Sequence, residues 1–144
     1  MTLQQQIDAF LNGSPFAVCG ASPDRHKYGN KCFRCLLQSG RTAFPINPSA
    51  TEVESHQAFA KLADLASHLA ASGKPPIHAV SIITPHPITE KIIEQMGELN
   101  ITHAWMQPGA ESPKAIARAR ELGINTIANG PCLLVVLGYH EHAD

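Results

Sequence analysis

Five short apolar runs, each stopped by Gly, Pro, Asn or Gln, alternate with longer stretches of helical periodicity, and no other feature restricts the fold so strongly. The runs are Phe16–Cys19, stopped at Gly20; Thr42–Ile46, at Asn47-Pro48; Ile77–Ile83, at Thr84-Pro85; His103–Met106, at Gln107-Pro108-Gly109; and Ile124–Ala128, at Asn129-Gly130-Pro131. Nearly continuous apolar runs of this length predict strands buried on both faces. Helices are predicted between them, over Gly29–Gln38, Phe59–Ala71, Ile88–Leu99 and Ser112–Leu122. A leading helix is expected over Thr2–Leu11 and a short closing one over Cys132–Leu137. The Ser112–Leu122 segment is the best punctuated, with Ser112 as N-cap, Pro113 at the first helical position and Gly123 just past the end.

This alternation defines the α/β class: a Rossmann-like, three-layer α/β/α domain around a five-stranded parallel sheet with right-handed crossovers. By analogy with dinucleotide-binding folds the expected strand order is 3-2-1-4-5. A chain of 144 residues is one domain's worth and can bury a core without disulfides. The expected layout is an N-terminal helix over residues 1–13, the domain over 14–138 and a tail over 139–144.

No run approaches the roughly 18 apolar residues of a membrane helix. Met1–Leu11 has neither the basic start nor the apolar stretch of a signal peptide. A cytoplasmic protein with no membrane partner is therefore expected, with Cys19, Cys32, Cys35 and Cys132 reduced. A net charge of −1 argues against nucleic-acid binding, which needs a basic face. The distribution is more telling than the sum. Arg25, Lys27, Lys31 and Arg34 fall within ten residues, beside the single acid Asp24, and form a local anion-binding signal.

In sheets of this kind, ligands bind at the carboxyl ends of the strands, at the point where the strand order reverses. The first strand delivers Gly20-Ala21-Ser22 there, the second Asn47-Pro48, the third Thr84-Pro85, the fourth Gln107-Pro108-Gly109 and the fifth Asn129-Gly130-Pro131-Cys132. Gly20 allows a tight exit, Ser22 offers a hydroxyl, and the next helix start presents free N–H groups to an anion. Arg25, Lys27 and Lys31 add positive charge. The pattern is not GxGxxG, because Ser22 and Arg25 stand where glycines would be required. An NAD site usually has an acid after the second strand for the ribose diol, and here that residue is Asn47. A neutral amide tolerates a phosphorylated ribose better, which disfavours NAD, suits the 3′-phosphorylated adenosine of coenzyme A and leaves NADP as the less favoured alternative.

Gly20-Ala21-Ser22, Lys27-Tyr28-Gly29, Pro45-Ile46-Asn47-Pro48, Trp105-Met106-Gln107-Pro108-Gly109-Ala110 and a late Cys132 together resemble the stand-alone CoA-binding domain proteins, which are similar to the N-terminal domain of the succinyl-CoA synthetase α subunit. The likeness spans about residues 14 to 136. It implies that the first loop and the Asn-Pro after the second strand hold the adenosine diphosphate part, while the third and fourth strand ends face the pantetheine arm. Carried over, it implicates Gly20, Ser22, Lys27, Tyr28, Asn47, Thr84, Gln107 and Gly109; with Ala21, Arg25, Gly29, Pro48, Pro85 and Cys132 beside them at the strand ends and in the basic loop, these make up the candidate cofactor-binding set, with CoA or an acyl-CoA as ligand. It implies binding and assigns no reaction. The stretch Gln57–Pro76 and the apolar end Cys132–Leu137 depart from the family pattern; the latter could pack on this chain or on a second copy, leaving a homodimer open.

Competing readings are an NADP-linked oxidoreductase, a CoA-ligase component that would need a partner, and a thiol redox sensor built on Cys32-Phe33-Arg34-Cys35. That CxxC lies inside a helix, some twelve residues past the first strand, and Cys19 and Cys132 are not spaced as a second zinc pair. Two small residues packed under the sheet is the favoured reading. Trp105 is expected in the core, Tyr28 at the nucleotide rim, His26 in the phosphate loop, His86 by the cleft, and His140 and His142 in a frayed tail.

Overall fold

The computed structural model describes residues 1–141. In chain order its elements are α1 (Leu3–Leu11), β1 (Phe16–Cys19), α2 (Tyr28–Gln38), β2 (Ala43–Ile46), β3 (Glu52–Val53), β4 (His56–Gln57), α3 (Leu62–Ala71), β5 (Ala79–Ile82), α4 (His86–Glu98), β6 (His103–Met106), α5 (Pro113–Glu121), β7 (Asn125–Ile127) and α6 (Leu133–Leu137). All five predicted strands form, and all pair in parallel in one sheet of order β2-β1-β5-β6-β7. Helices α3, α4 and α5 bury Leu65, Ile93 and Ala119 against one face of the sheet. On the other face α1, α2 and α6 bury Phe10, Phe33 and Leu133. The result is the expected three-layer α/β/α domain.

The strand order differs from the expected 3-2-1-4-5. Counting only these five strands, it is 2-1-3-4-5, because β5 lies beside β1 rather than outside β2. Pro45 supplies the reason. Its carbonyl points away from β1 and accepts the Phe59 N–H at 3.0 Å. A strand residue directs its N–H and C=O to the same side, so the donor that proline lacks is missing on that outer side, and proline is tolerated in edge strands for this reason. A short return of the chain covers the edge instead: Ile46 bridges Phe59, and Asn47 donates its N–H to the Phe59 carbonyl at 2.9 Å. Phe59, expected to open the third helix, belongs to this cover, and α3 starts at Leu62. The reversal of strand order falls between β1 and β5.

The N-terminal helix is part of the same core. Thr2 and Gln5 form a reciprocal capping box, Ile7 and Phe10 are buried, and Phe10 meets the buried Trp105 edge-on at 5.3 Å. Ser112 caps α5 as expected, its hydroxyl accepting from the Ala115 N–H at 3.1 Å. The start of the tail is docked rather than frayed: Gln38 donates to the His140 carbonyl at 2.8 Å, and Arg34 lies over the Tyr139 ring. His142 lies outside the described residues.

Candidate functional site at the reversal of strand order

At the carboxyl end of β1 the chain turns at Gly20, where φ is +94° and a Cβ would collide with the Ile83 carbonyl. Gly29, in the first turn of α2, sits directly over this corner, and a Cβ there would collide with the Gly20 carbonyl oxygen. Bare backbone on both sides therefore lets the start of α2 press onto the end of β1. Lys27, the N-cap of α2, gives no side-chain cap to the first-turn N–H groups, which stand at the positive end of the helix dipole. Between these two contacts runs the loop 21–27. Ser22 Oγ accepts the Asp24 N–H at 3.1 Å, and Asp24 Oδ1 accepts the N–H of the exposed His26 at 2.9 Å.

The four cations that marked this region have different surroundings. Arg25 is half-exposed and pairs with Glu54 at 3.4 Å. Lys31 pairs with Glu141 at 2.8 Å. Arg34 is buried beneath the loop, donating to Asn30 Oδ1 and the Arg25 carbonyl. Among the described residues, Lys27 alone of the four makes no ion pair or side-chain hydrogen bond, and it is exposed.

Asn47 ties the second strand end to the first. Its Nδ2 donates to the carbonyl of the buried Ala21 at 2.8 Å, and its Oδ1 accepts the Ser49 and Ala50 N–H groups. Gly20, Pro48 and Thr84 line a small cavity of about 110 Å³ at the ends of β1, β2 and β5, together with Lys61, Ile88 and Gln95. Thr84 and Thr89 share a hydrogen bond between hydroxyls at 2.7 Å, while Pro85 stands exposed as the N-cap of α4.

Gln107 is fully buried under the next strand end. Its Nε2 donates to Ser81 Oγ at 3.1 Å, and its Oε1 accepts both the Leu133 N–H at 2.9 Å and the Tyr28 hydroxyl at 3.4 Å. This amide joins β5, α6 and α2. Tyr28 is half-buried, and burial, together with the neighbouring Cys132 and Cys32 thiols, pushes its hydroxyl above the usual tyrosine range. Gly109, at φ +96°, is exposed and donates its N–H to Glu111. Beyond it lies a larger, more open groove of about 540 Å³, lined by His86, Glu111, Ser112 and Asn129 among others.

The cysteines are all unpaired. Burial pushes Cys19 up to about 12 and Cys35 up to about 11, and raises Cys32 as well. Cys32 and Cys35 pack within the core, which suppresses the thiolate a redox or metal site requires. No group of three or more metal-ligating side chains occurs among the described residues. Cys19 lines the small cavity at the ends of β1, β2 and β5, and Cys132 is half-buried at the N-cap of α6.

The structure thus brings Gly20, Ala21, Ser22, Gly29, Asn47, Pro48 and Thr84 to one corner. Tyr28, Gln107 and Cys132 form a second group beside it. Sequence reasoning did not find Glu54, which reaches the loop from a two-residue turn with Glu54 and Ser55 both in the left-handed region, nor Asn30, Lys61 or Gln95. The Glu-Ser pair lacks the Asn-Gly signature of such turns, and Lys61 and Gln95 lie outside any strand end.

A five-stranded parallel sheet flanked by helices, with a glycine turn and an uncapped helix start at its reversal point, is a Rossmann-like α/β fold. The chain belongs to the CoA-binding domain family, whose model matches residues 14–138. Among solved structures, it is 23% identical to a hypothetical protein from Pyrococcus horikoshii, with a TM-score of 0.80 over 94% of this chain and 89% of that one. A protein from Thermus thermophilus is 25% identical, with a TM-score of 0.79 over 94% and 96%. The dinucleotide forming acetyl-coenzyme A synthetase 1 of Ca. Korarchaeum cryptofilum, solved with phosphate and ADP, is 26% identical, with a TM-score of 0.68 over 87% of this chain and 27% of that one. No curated protein matches the chain. No described helix is long and apolar enough to cross a membrane.

Proposed function

We propose that this protein binds coenzyme A or an acyl-CoA through the β1–α2 turn and catalyses no reaction of its own. The observation that carries this reading is the Gly20–Gly29 corner, where bare backbone and an uncapped helix start fit a diphosphate. Coenzyme A supplies a 3′-phosphorylated adenosine diphosphate and a thiol-ended arm. Ser22 accepts from Asp24 and keeps its own hydroxyl proton to donate to a phosphate oxygen, with Lys27 and Arg25 adding charge. Asn47 shapes the corner through Ala21, and as a neutral amide it spares a 3′-phosphate the repulsion of a carboxylate. The cavity at Pro48 and Thr84, with Pro85 following Thr84 in the chain, suits the base or ribose, while Tyr28, Gly109 and Cys132, with Gln107 beneath them, border the path of the arm. Four unpaired cysteines agree with a cytoplasmic setting.

Calorimetry with CoA and dephospho-CoA tests this directly. CoA is expected to bind about tenfold more tightly or better, in line with an added charge-assisted hydrogen bond. Equal affinities would remove the 3′-phosphate from the reading, and no binding of either would overturn it. Incubation with acyl-CoA is expected to leave the thioester intact.

A further inference from the structure

Two side chains of α2 that the ligand site does not use run beneath the loop 21–27. Asn30 is completely buried, and its side chain makes three hydrogen bonds. Its Nδ2 donates to the Ser22 carbonyl at 2.7 Å and to Glu54 Oε2 at 3.1 Å, and its Oδ1 accepts Arg34 Nε at 2.6 Å. Arg34, one helical turn further on, is 5% exposed. It donates through Nη2 to the Arg25 carbonyl at 2.9 Å, with its guanidinium carbon 5.6 Å from the centre of the Tyr139 ring.

The two side chains thus grip the loop by two carbonyls three residues apart. A buried guanidinium is costly unless its donors are used, and both of the donors traced here are spent on this construction. From beneath the loop, Asn30 and Arg34 act on what the loop presents.

We propose that Asn30 and Arg34 are positioning residues for phosphate binding: by holding the Ser22 and Arg25 carbonyls inward, they fix how Ser22, Arg25 and Lys27 are offered to the ligand. This rests on the reading of the β1–α2 turn as the phosphate site. Ordering a loop before the ligand arrives removes that entropy cost from binding.

The scissile carbonyl for trypsin after Arg25 is the one Arg34 holds, which provides a measure of the brace that needs no ligand. Arg34→Met keeps the length of the side chain and removes its donors; Arg34→Lys restores one donor and the charge. Asn30→Asp keeps the acceptor for Arg34 but removes the donors to Ser22 and Glu54, giving a second variant should Arg34→Met fold poorly. Arg34→Met and Asn30→Asp are expected to lower CoA affinity about ten- to a hundredfold, the range for hydrogen bonds with a charged partner. Cleavage at Arg25–His26 should speed up, while cleavage after Arg41, beyond the far end of α2, stays as in the wild type. Arg34→Lys should recover part of both losses. Wild-type affinity in Arg34→Met and Asn30→Asp would overturn the proposal, as would equal acceleration after Arg25 and Arg41, which marks general loosening. If the wild-type protein bound no CoA, the functional reading would fall, and the proteolysis would still decide whether the brace exists.

Discussion

Gly29 lies so close over Gly20 that a Cβ on the first would overlap the carbonyl oxygen of the second, which makes the entry of α2 and the exit of β1 a single packed unit. The atoms in the way are backbone, so neither segment can yield by a side-chain rotation. Gly29→Ala and Gly20→Ala are each expected to lower stability by about 2 kcal/mol or more, with left-handed strain added at Gly20. Urea denaturation reads this; a wild-type midpoint would show that the two segments separate freely.

Gln107 offers a second point of attack. Gln107→Leu leaves the Leu133 N–H and the Tyr28 hydroxyl without their acceptor in a buried place. The expected cost is about 1–3 kcal/mol, the penalty for stranding a buried polar group. Tyr28→Phe removes a half-buried hydroxyl that makes a long 3.4 Å bond to Gln107 and neighbours the Cys132 and Cys32 thiols, strands no backbone group, and should cost less. If the two variants proved equally stable, Gln107 would not be the link between α2 and α6.

Thiol reactivity separates the cysteines. Cys19, Cys32 and Cys35 are buried with thiols raised above the usual range, so at pH 8 they stay protonated and shielded. A disulfide reagent should therefore label one thiol, Cys132, quickly in the folded protein and all four after denaturation. Peptide mapping that found Cys32 labelled first would revive the redox reading.

Acid should weaken the fold through His103. Burial, and then the nearby His78 ring, hold its imidazole below the usual 6.5; the two rings lie 4.7 Å apart, and His103 also pairs with Asn125. Between the folded value and 6.5 the unfolded chain binds more protons. Stability is therefore complete above 6.5, falls as the pH drops through that value, and levels off below the folded one. Urea midpoints measured from pH 8 to pH 5 should fall, and His103→Gln should flatten that part of the profile.

The strands were legible because each carries its own stop signal, and the capped α5 because Ser112, Pro113 and Gly123 act locally. Gly20 and Asn47 could be placed at the corner for the same reason. The strand order was not legible from periodicity, although Pro45 carried the clue: a residue lacking a donor belongs on an edge. The basic cluster was visible as charge, but Arg25 and Lys31 pair with Glu54 and Glu141, which arrive from distant parts of the chain, and Arg34 turns under the loop to Asn30 and the Arg25 carbonyl. The small β3–β4 hairpin left no alternating pattern, since two residues a side are too few to show one.

The covering of β2 by Phe59 has a counterpart at the opposite margin, where Gln6 of α1 takes the outward carbonyl of Thr126 on β7. With each border of the sheet blunted in this way, a foreign strand finds little template on which to add itself. Copies of this protein that associate should therefore meet through their helical faces, and a crowded solution of it should resist growing into fibrils.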